Sequence, residues 1–289
     1  ASRNHLLDAI DARNTFIASL YGERGRPQPT SDWSHVLFPF AGHDANHLRL
    51  AYDRYQEPYA NTCLNWDTRA VRAAPTPGPK RLTVAQAKAP VTLEAPQWQQ
   101  ITAHELTLVP PLYALPRKTI LRLLYDSANL YVRAECELEP DSPTEFPVFP
   151  RDRLLANQES LDLYLAPQPR SDVCYRVMAG ANAESKYDAA SGFITDAMDP
   201  RYGKDDPAWN GDWRSVTRVD RQSHRWHALV TIPFKSLATD PPTAGTTWRG
   251  NFARNHQLPR GKIDRAIWSS TITSNNMDDR SLFGEIVFQ

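Results

Sequence analysis

The sequence predicts a mainly β protein, an antiparallel β-sandwich preceded by a short helical N-terminal segment. Three observations carry this. After residue 90, seven or more short runs alternate between apolar and polar residues, as strands with one buried face do. Gly, Pro, Asn and Asp separate these runs, which suits tight turns better than helices. Residues 1–21 and 44–56 instead read as helices, the first with apolar side chains at helical spacing.

In chain order, residues 1–21 set Leu6, Ile10, Ile17 and Leu20 on one helical stripe that Gly22 ends. A second helix is expected over 44–56, DANHLRLAYDRYQ, before Pro58. The stretch AAPTPGPKR, 73–81, has three prolines and a glycine and reads as a linker or crossing segment. The domain boundary is placed there, with a helical segment and linker over 1–80 and the sandwich over 90–289. TILRLLYDSANLYVRAECEL forms a hairpin about its D-S-A-N turn. Leu130, Val132, Ala134 and Cys136 point one way, and Tyr131, Arg133 and Glu135 the other. SLDLYLA, DVCYRVMAG, WRSVTRV, RWHALVTI, WRGNFARN and FGEIVF continue the strand pattern.

Composition narrows the function. Lys+Arg and Asp+Glu are 33 each in 289 residues, so no net field draws nucleic acid or an anionic membrane. No apolar stretch approaches the roughly 20 residues of a membrane span. The opening ASRNHLLDAIDARN has no apolar signal core, so an export signal is either already removed or never existed. A start inside a helix suggests the C-terminal part of something longer. Cys63, Cys136 and Cys174 are an odd count with no zinc-ligand spacing, and Cys136 falls on the apolar phase of its strand. One disulfide stays open.

Few motifs point to other chemistry. GHDANH puts His43 and His47 at the spacing of a zinc-binding helix with Asp44 between them, and Glu57 is one guess for a third ligand. A capped helix start accounts for the same residues. Asp196, Asp199, Asp205 and Asp206 are candidate calcium ligands or solvated turn residues. Met178, Met198, Met277, His227 and His256 supply haem-ligand types at no favoured spacing. No phosphate loop or G-x-S-x-G elbow is present. DPAWNGDW, 206–213, places Trp209 and Trp213 in a turn. Covering a core end is the favoured reading, since one aromatic buries ~150–250 Å²; a ligand contact is the other.

Read together, these pieces resemble family 9 carbohydrate-binding modules over about residues 90–289. VTLEAPQWQQ resembles the family's opening strand, LLYDSANLYVRAECE its hairpin, and ESLDLYLAP and CYRVMAG its next two strands. WNGDW with RWHALVTIPFKSL, then AGTTWRGNFAR, IWSS and FGEIVF, follow in the family's order. The resemblance implies a β-sandwich appended to polysaccharide-degrading enzymes, holding sugar chain ends between two tryptophan faces beside an acid and an arginine. By position the acid is Asp162 and the arginine Arg176, both out of phase with Leu161, Leu163 and Leu165. It also implies carbohydrate contacts at Trp209, Arg254, Trp268 and Met277. The family tryptophans fall near Ala156 and Met277, and a strand glutamate falls on Leu229, so the aromatic platforms are absent. Tyr164, Cys174, Met178 and Leu229 are expected on the face of Asp162 and Arg176, which makes it more apolar than an open sugar cleft requires.

The leading expectation is a non-catalytic carbohydrate-binding module of a glycan-processing protein, secreted or periplasmic, with a polysaccharide or oligosaccharide as ligand. It carries no cofactor beyond an optional calcium ion, and a catalytic domain or chain is its expected partner. The first alternative is a structural or interaction domain whose face is covered. The second is an enzyme whose chemistry uses the N-terminal segment.

Overall fold

A computed structural model of the chain describes residues 80–108, 117–143, 145–167, 172–196, 198–258, 263–269 and 279–289. The helices expected over 1–21 and 44–56, and nearly all of the linker at 73–81, lie outside the described residues. Among the described residues the chain is mainly β, with short 3-10 turns and no α-helix. None of its helical turns is long and apolar enough to cross a membrane.

The strands in order are β1 (Arg81–Gln86), β2 (His104–Glu105), β3 (Thr107–Leu108), β4 (Thr119–Tyr125), β5 (Asn129–Glu137), β6 (Ser160–Ala166) and β7 (Val173–Gly180). They continue with β8 (Lys186–Gly192), β9 (Arg214–Asp220), β10 (Arg225–Pro233), β11 (Thr247–Gln257), β12 (Ile263–Ile267) and β13 (Gly284–Phe288). They hydrogen-bond in the order β8-β7-β6-β11-β13-β1-β4-β5-β10-β9, with β12 on β11, β2 on β4 and β3 on β12. The result is one continuous curled sheet, where the sequence suggested two separate ones.

The seam is β1. Its first four residues pair in parallel with β13, from Arg81 opposite Glu285 to Val84 opposite Phe288. Its last two, Ala85 and Gln86, pair in parallel with Leu124 and Tyr125 of β4. One short strand therefore belongs to both halves of the sheet, and it lies before residue 90, where the sequence suggested that the β region begins. RLTVAQ has the alternation of a strand, with Leu82 and Val84 buried, but the proline run before it hides the start. VTLEAPQWQQ, expected as the opening strand, instead makes a 3-10 turn over Pro96–Gln100. Its Trp98 is buried with Leu93 against Leu124, Tyr131 and Leu229.

The inner faces of the two halves share one core. Leu161, Leu163 and Leu165 of β6, Val177 of β7, and Trp248 and Phe252 of β11 meet Leu121 and Leu123 of β4, Val132 of β5 and Val230 of β10. Side chains alternate along a strand, so every inward leucine of SLDLYLA sends Asp162 and Tyr164 to the opposite face. The register of β6 thereby fixes where the polar residues can appear.

A buried polar cluster ties the halves together at one end of the core. Glu159, just before β6, accepts hydrogen bonds from Trp226 Nε1 (2.9 Å), Arg254 Nε (2.6 Å) and the Gln257 backbone N–H (2.9 Å). Arg254 also donates to Thr119 Oγ1 (3.1 Å) and the Glu137 carbonyl (2.7 Å), both in the other half. Burial would push the Glu159 carboxyl up, but the Arg254 charge and the His256 ring more than offset it and hold it below its ordinary value.

The turn that holds Trp209 and Trp213 is anchored by Asp188 of β8. One Asp188 oxygen accepts from Gly211 N (2.6 Å) and Trp213 Nε1 (3.0 Å), while Arg151 Nη2 reaches both oxygens at 2.9 and 2.8 Å. Trp213 is buried in the main core, and Trp209 packs on it, its ring 4.9 Å from that of Tyr175. The aromatic pair covers the core end.

Arg254→Ala should destabilise the fold by about 3–5 kcal/mol, because it strands Glu159 as a buried unpaired charge; urea unfolding followed by tryptophan fluorescence measures this. Since the folded Glu159 carboxyl lies below its unfolded value near ~4.3, its contribution is complete above that pH and is lost as pH falls through the lower folded value. The acid limb of the stability curve should therefore flatten in Glu159→Gln relative to the wild type.

Candidate functional site

The outward residues of β8, β7, β6, β11 and β12 form one face. Register sets Tyr164 opposite Arg176 and Asp162 opposite Met178 across β6 and β7, and Arg176 opposite Ala189 and Met178 opposite Tyr187 across β7 and β8. Arg176 thus reaches diagonally to Asp162. Its Nε donates to Asp162 Oδ1 (3.0 Å) and its Nη2 to Oδ2 (2.7 Å), a two-pronged pair. Its Nη1 donates to Asp205 Oδ2 at 2.9 Å.

A second arginine completes the cluster. Arg280, on the turn before β13, donates to Ser191 Oγ (2.7 Å) and lies 3.9 Å from Asp205 Oδ1. Tyr164 lies between the cations, its ring centroid 5.0 Å from the Arg176 guanidinium and 5.6 Å from that of Arg280. Tyr187 lies 5.6 Å from the Arg176 guanidinium. Asp205 is held in place by its own loop, because Asp206 pairs with Ala190 of β8 through both backbone hydrogen bonds (2.7 and 3.1 Å). Asp162 is 0% and Arg176 7% exposed, whereas the Asp205 side chain is 15% exposed. Asp205 is the acid of the cluster that solvent reaches.

Two apolar groups flank these charges. Tyr164 and Cys174 pack with Ala253, Ile267 and Phe283 on one side. Met178, Tyr187, Ala189 and Leu155 pack with Phe149 and Ala156 on the other. The Ala156 position, where the resemblance leaves an aromatic missing, therefore does border this face, and Phe149 and Tyr187 are the aromatics of that cluster.

Of the residues that the sequence pointed to, the structure brings together Asp162 and Arg176, with Tyr164, Cys174 and Met178 beside them. It sets others elsewhere. Arg254 is in phase with inward Phe252 and binds Glu159 between the halves. Trp268 is buried against Phe252, where a Cβ on Gly284 would come within 2.5 Å of the Lys80 carbonyl oxygen and strike the indole as well. Trp209 packs on Tyr175 at the core end. Leu229 is a correction: β10 lies in the other half of the sheet, and its partners there are Leu93, Trp98, Leu124 and Tyr131. Met277, His43, His47 and Glu57 lie outside the described residues.

The acids considered for calcium are spread over their loop. Asp196 accepts from Met198 N and Asp206 from Ala208 N, Asp199 pairs with Arg201, and Asp205 pairs with Arg176. Among the described residues no three His, Cys, Asp or Glu side chains gather as metal ligands. The haem-ligand types are equally scattered, with Met198 exposed, Met178 and His227 on outer faces of different halves, and His256 in the interior. Cys136 and Cys174 are both buried, and burial pushes the Cys136 thiol up to about 12.

Sequence reasoning missed Asp205 as a partner of Arg176 and missed Arg280 altogether. Both arrive from loops whose path no strand pattern reveals. The arrangement as a whole offers carboxylate acceptors, guanidinium donors and aromatic edges on one β face. These groups suit hydroxyl-rich ligands.

No family model and no curated protein matches the chain. Solved structures do resemble it. A family 9 carbohydrate-binding module from Caldicellulosiruptor kristjanssonii in complex with glucose aligns over 73% of this chain and 96% of its own, with a TM-score of 0.51 and 17% identity. The same kind of module in complex with cellotriose aligns over 73% and 94%, again with a TM-score of 0.51 and 17% identity. A Bacteroides uniformis protein provisionally assigned as carbohydrate-binding aligns over 73% of this chain and all of its own, with a TM-score of 0.57 and 14% identity. At these identities the likeness is one of fold.

Arg176→Ala should cost about 3–5 kcal/mol of stability, because Asp162 would be left charged and buried without its two donors. Chemical denaturation measures the loss, and a change below 1 kcal/mol would show that Asp162 is compensated without Arg176.

Proposed function

We propose that the chain is a non-catalytic carbohydrate-binding module whose ligand face is the outer surface of β6, β7 and β8 around Asp162, Arg176 and Asp205. One observation carries the reading. The two-pronged Asp162–Arg176 pair stands on adjacent strands at the positions where the family resemblance expects an acid and an arginine. Support comes from the shared fold, since two of the similar modules are in complex with glucose and with cellotriose. Under this reading the curled sheet works as a sandwich-type module. It belongs to an exported glycan-processing protein, secreted or periplasmic, whose catalytic domain or chain performs the chemistry.

The preorganisation argument is physical. A guanidinium locked by Asp162 and Asp205 keeps its donors in a fixed plane, so a sugar hydroxyl meets a rigid partner and little side-chain entropy is lost on binding. Asp205 is the acceptor that a ligand at the rim meets first.

A second reading has its own observation. Asp162 at 0% and Arg176 at 7% exposure are as sheltered as core residues, which favours a structural or interaction domain whose face is covered.

Affinity electrophoresis of the full chain on a panel of soluble polysaccharides, followed by calorimetry with matching oligosaccharides, separates the two readings. The wild type is expected to be retained on at least one glycan. Asp205→Ala should weaken that binding by about tenfold, equivalent to ~1.4 kcal/mol, while circular dichroism shows the fold retained at the assay temperature. A wild type that no glycan on a broad panel retards would remove the binding role and leave the structural one.

A further inference from the structure

The segment between β5 and β6 borders the proposed ligand face and carries a cation with no acid to match it. Its backbone is pinned to the β7–β8 hairpin. Phe149 N donates to Ser185 Oγ (2.9 Å), Asp152 N to the Lys186 carbonyl (3.1 Å), and Asn182 Nδ2 to the Phe146 carbonyl (3.0 Å). Leu155 is fully buried and anchors the segment in the Met178–Tyr187 cluster, with Phe149 and Ala156 packed beside it. Met178 stands opposite Asp162, and the Tyr187 ring lies near the Arg176 guanidinium, so this rim is continuous with the face already described.

On the rim, the Arg153 guanidinium carbon lies 4.3 Å from the Phe149 ring centroid. Arg153 is exposed and, among the described residues, has no carboxylate within ion-pair distance. Arg151, two residues earlier, is fully engaged by Asp188 and Asn210. Val148 at 54% and Leu154 at 49% exposure are the sequence neighbours of Phe149 and Arg153. They are two of the four large hydrophobics exposed among the described residues, and both fall within seven positions of one another.

We infer that Arg153, braced on Phe149, holds the carboxylate of an acidic sugar, so that the ligand of this face is a uronate-bearing glycan. The inference rests on the carbohydrate-binding reading and names the ligand class for it. A guanidinium stacked on a ring through its face keeps its N–H edge turned outward, where two parallel donors match the two oxygens of a planar carboxylate. Asp162 and Asp205 are balanced by Arg176 and Arg280 together, so they do not cancel this outward charge.

The test uses the full chain, calorimetry, and two probes: an oligogalacturonate and the same oligosaccharide with its carboxyls reduced to alcohols. The wild type is expected to bind the acidic probe at least about tenfold more tightly, with the difference shrinking in high salt. Arg153→Gln should erase the preference while leaving affinity for the reduced probe and the melting temperature unchanged. Arg153→Lys should keep part of it, and Phe149→Leu, which keeps apolar bulk but removes the ring, should reduce it. Equal binding of both probes, or an acidic preference that survives in Arg153→Gln, overturns the inference and leaves the carbohydrate-binding reading standing. Binding of neither probe, together with no retention on any other glycan, overturns both.

Discussion

A single carboxylate, Glu159, stands where the two halves of the curled sheet meet, and the geometry of both depends on it. It collects Trp226 from one half and Arg254 and the Gln257 backbone from the other, while Arg254 reaches back to Thr119 and Glu137. A buried charged pair of this kind adds little net stability compared with apolar residues of the same shape, because desolvation opposes the attraction. What it adds is uniqueness. A strand shifted by one residue would swing Arg254 out of the core and leave Glu159 without a donor. The register that buries Leu161, Leu163 and Leu165 is therefore the one that satisfies Glu159, and the same register turns Asp162 outward beside Arg176.

That dependence explains which parts of the molecule could be read from the residues alone. β4 to β7, β9 to β11 and β13 announce themselves by alternation, and the phase of SLDLYLA and CYRVMAG correctly separates Asp162 and Arg176 from the leucines. Arg254 was expected as a carbohydrate contact, although it is in phase with inward Phe252; its acid partner carries no strand signal, because Glu159 sits before the strand begins. β1 was obscured by the prolines ahead of it, and its parallel pairing on both sides has no local signal at all. Leu229 was assigned to the wrong face because period two gives the side of a strand but not the half of the sheet. Asp205 and Arg280 come from loops, whose paths follow from tertiary contacts.

The candidate face departs from a stacking cleft in its chemistry. Its tyrosines lie beside cations, its two acids are bonded to one arginine, and the aromatic at its rim supports a guanidinium. On the carbohydrate-binding reading proposed above, such a surface would recognise its ligand by hydrogen bonds and charge more than by ring stacking, with selectivity set by the loops around it, 145–158 and 198–213. The sheet beneath supplies rigidity, and outside the buried anchors Leu155 and Trp213 these loops can change with little consequence for the core.

The pairing of β1 with β13 also bears on how the chain acquires its structure. Arg81 and Glu285 are joined across 204 positions of sequence, at the centre of the strand order and not at its margin. On a ribosome, β4 and β5 can form their hairpin early, but the strand that unites the two halves waits until the last described strand has emerged. Until then one side of β1 has no partner, and the apolar Leu82 and Val84 wait with it. A long-range closure of this kind slows folding and leaves an open strand edge available to neighbouring chains in the meantime. Crowded synthesis would therefore favour aggregation through β1 over aggregation through the hairpins that close locally.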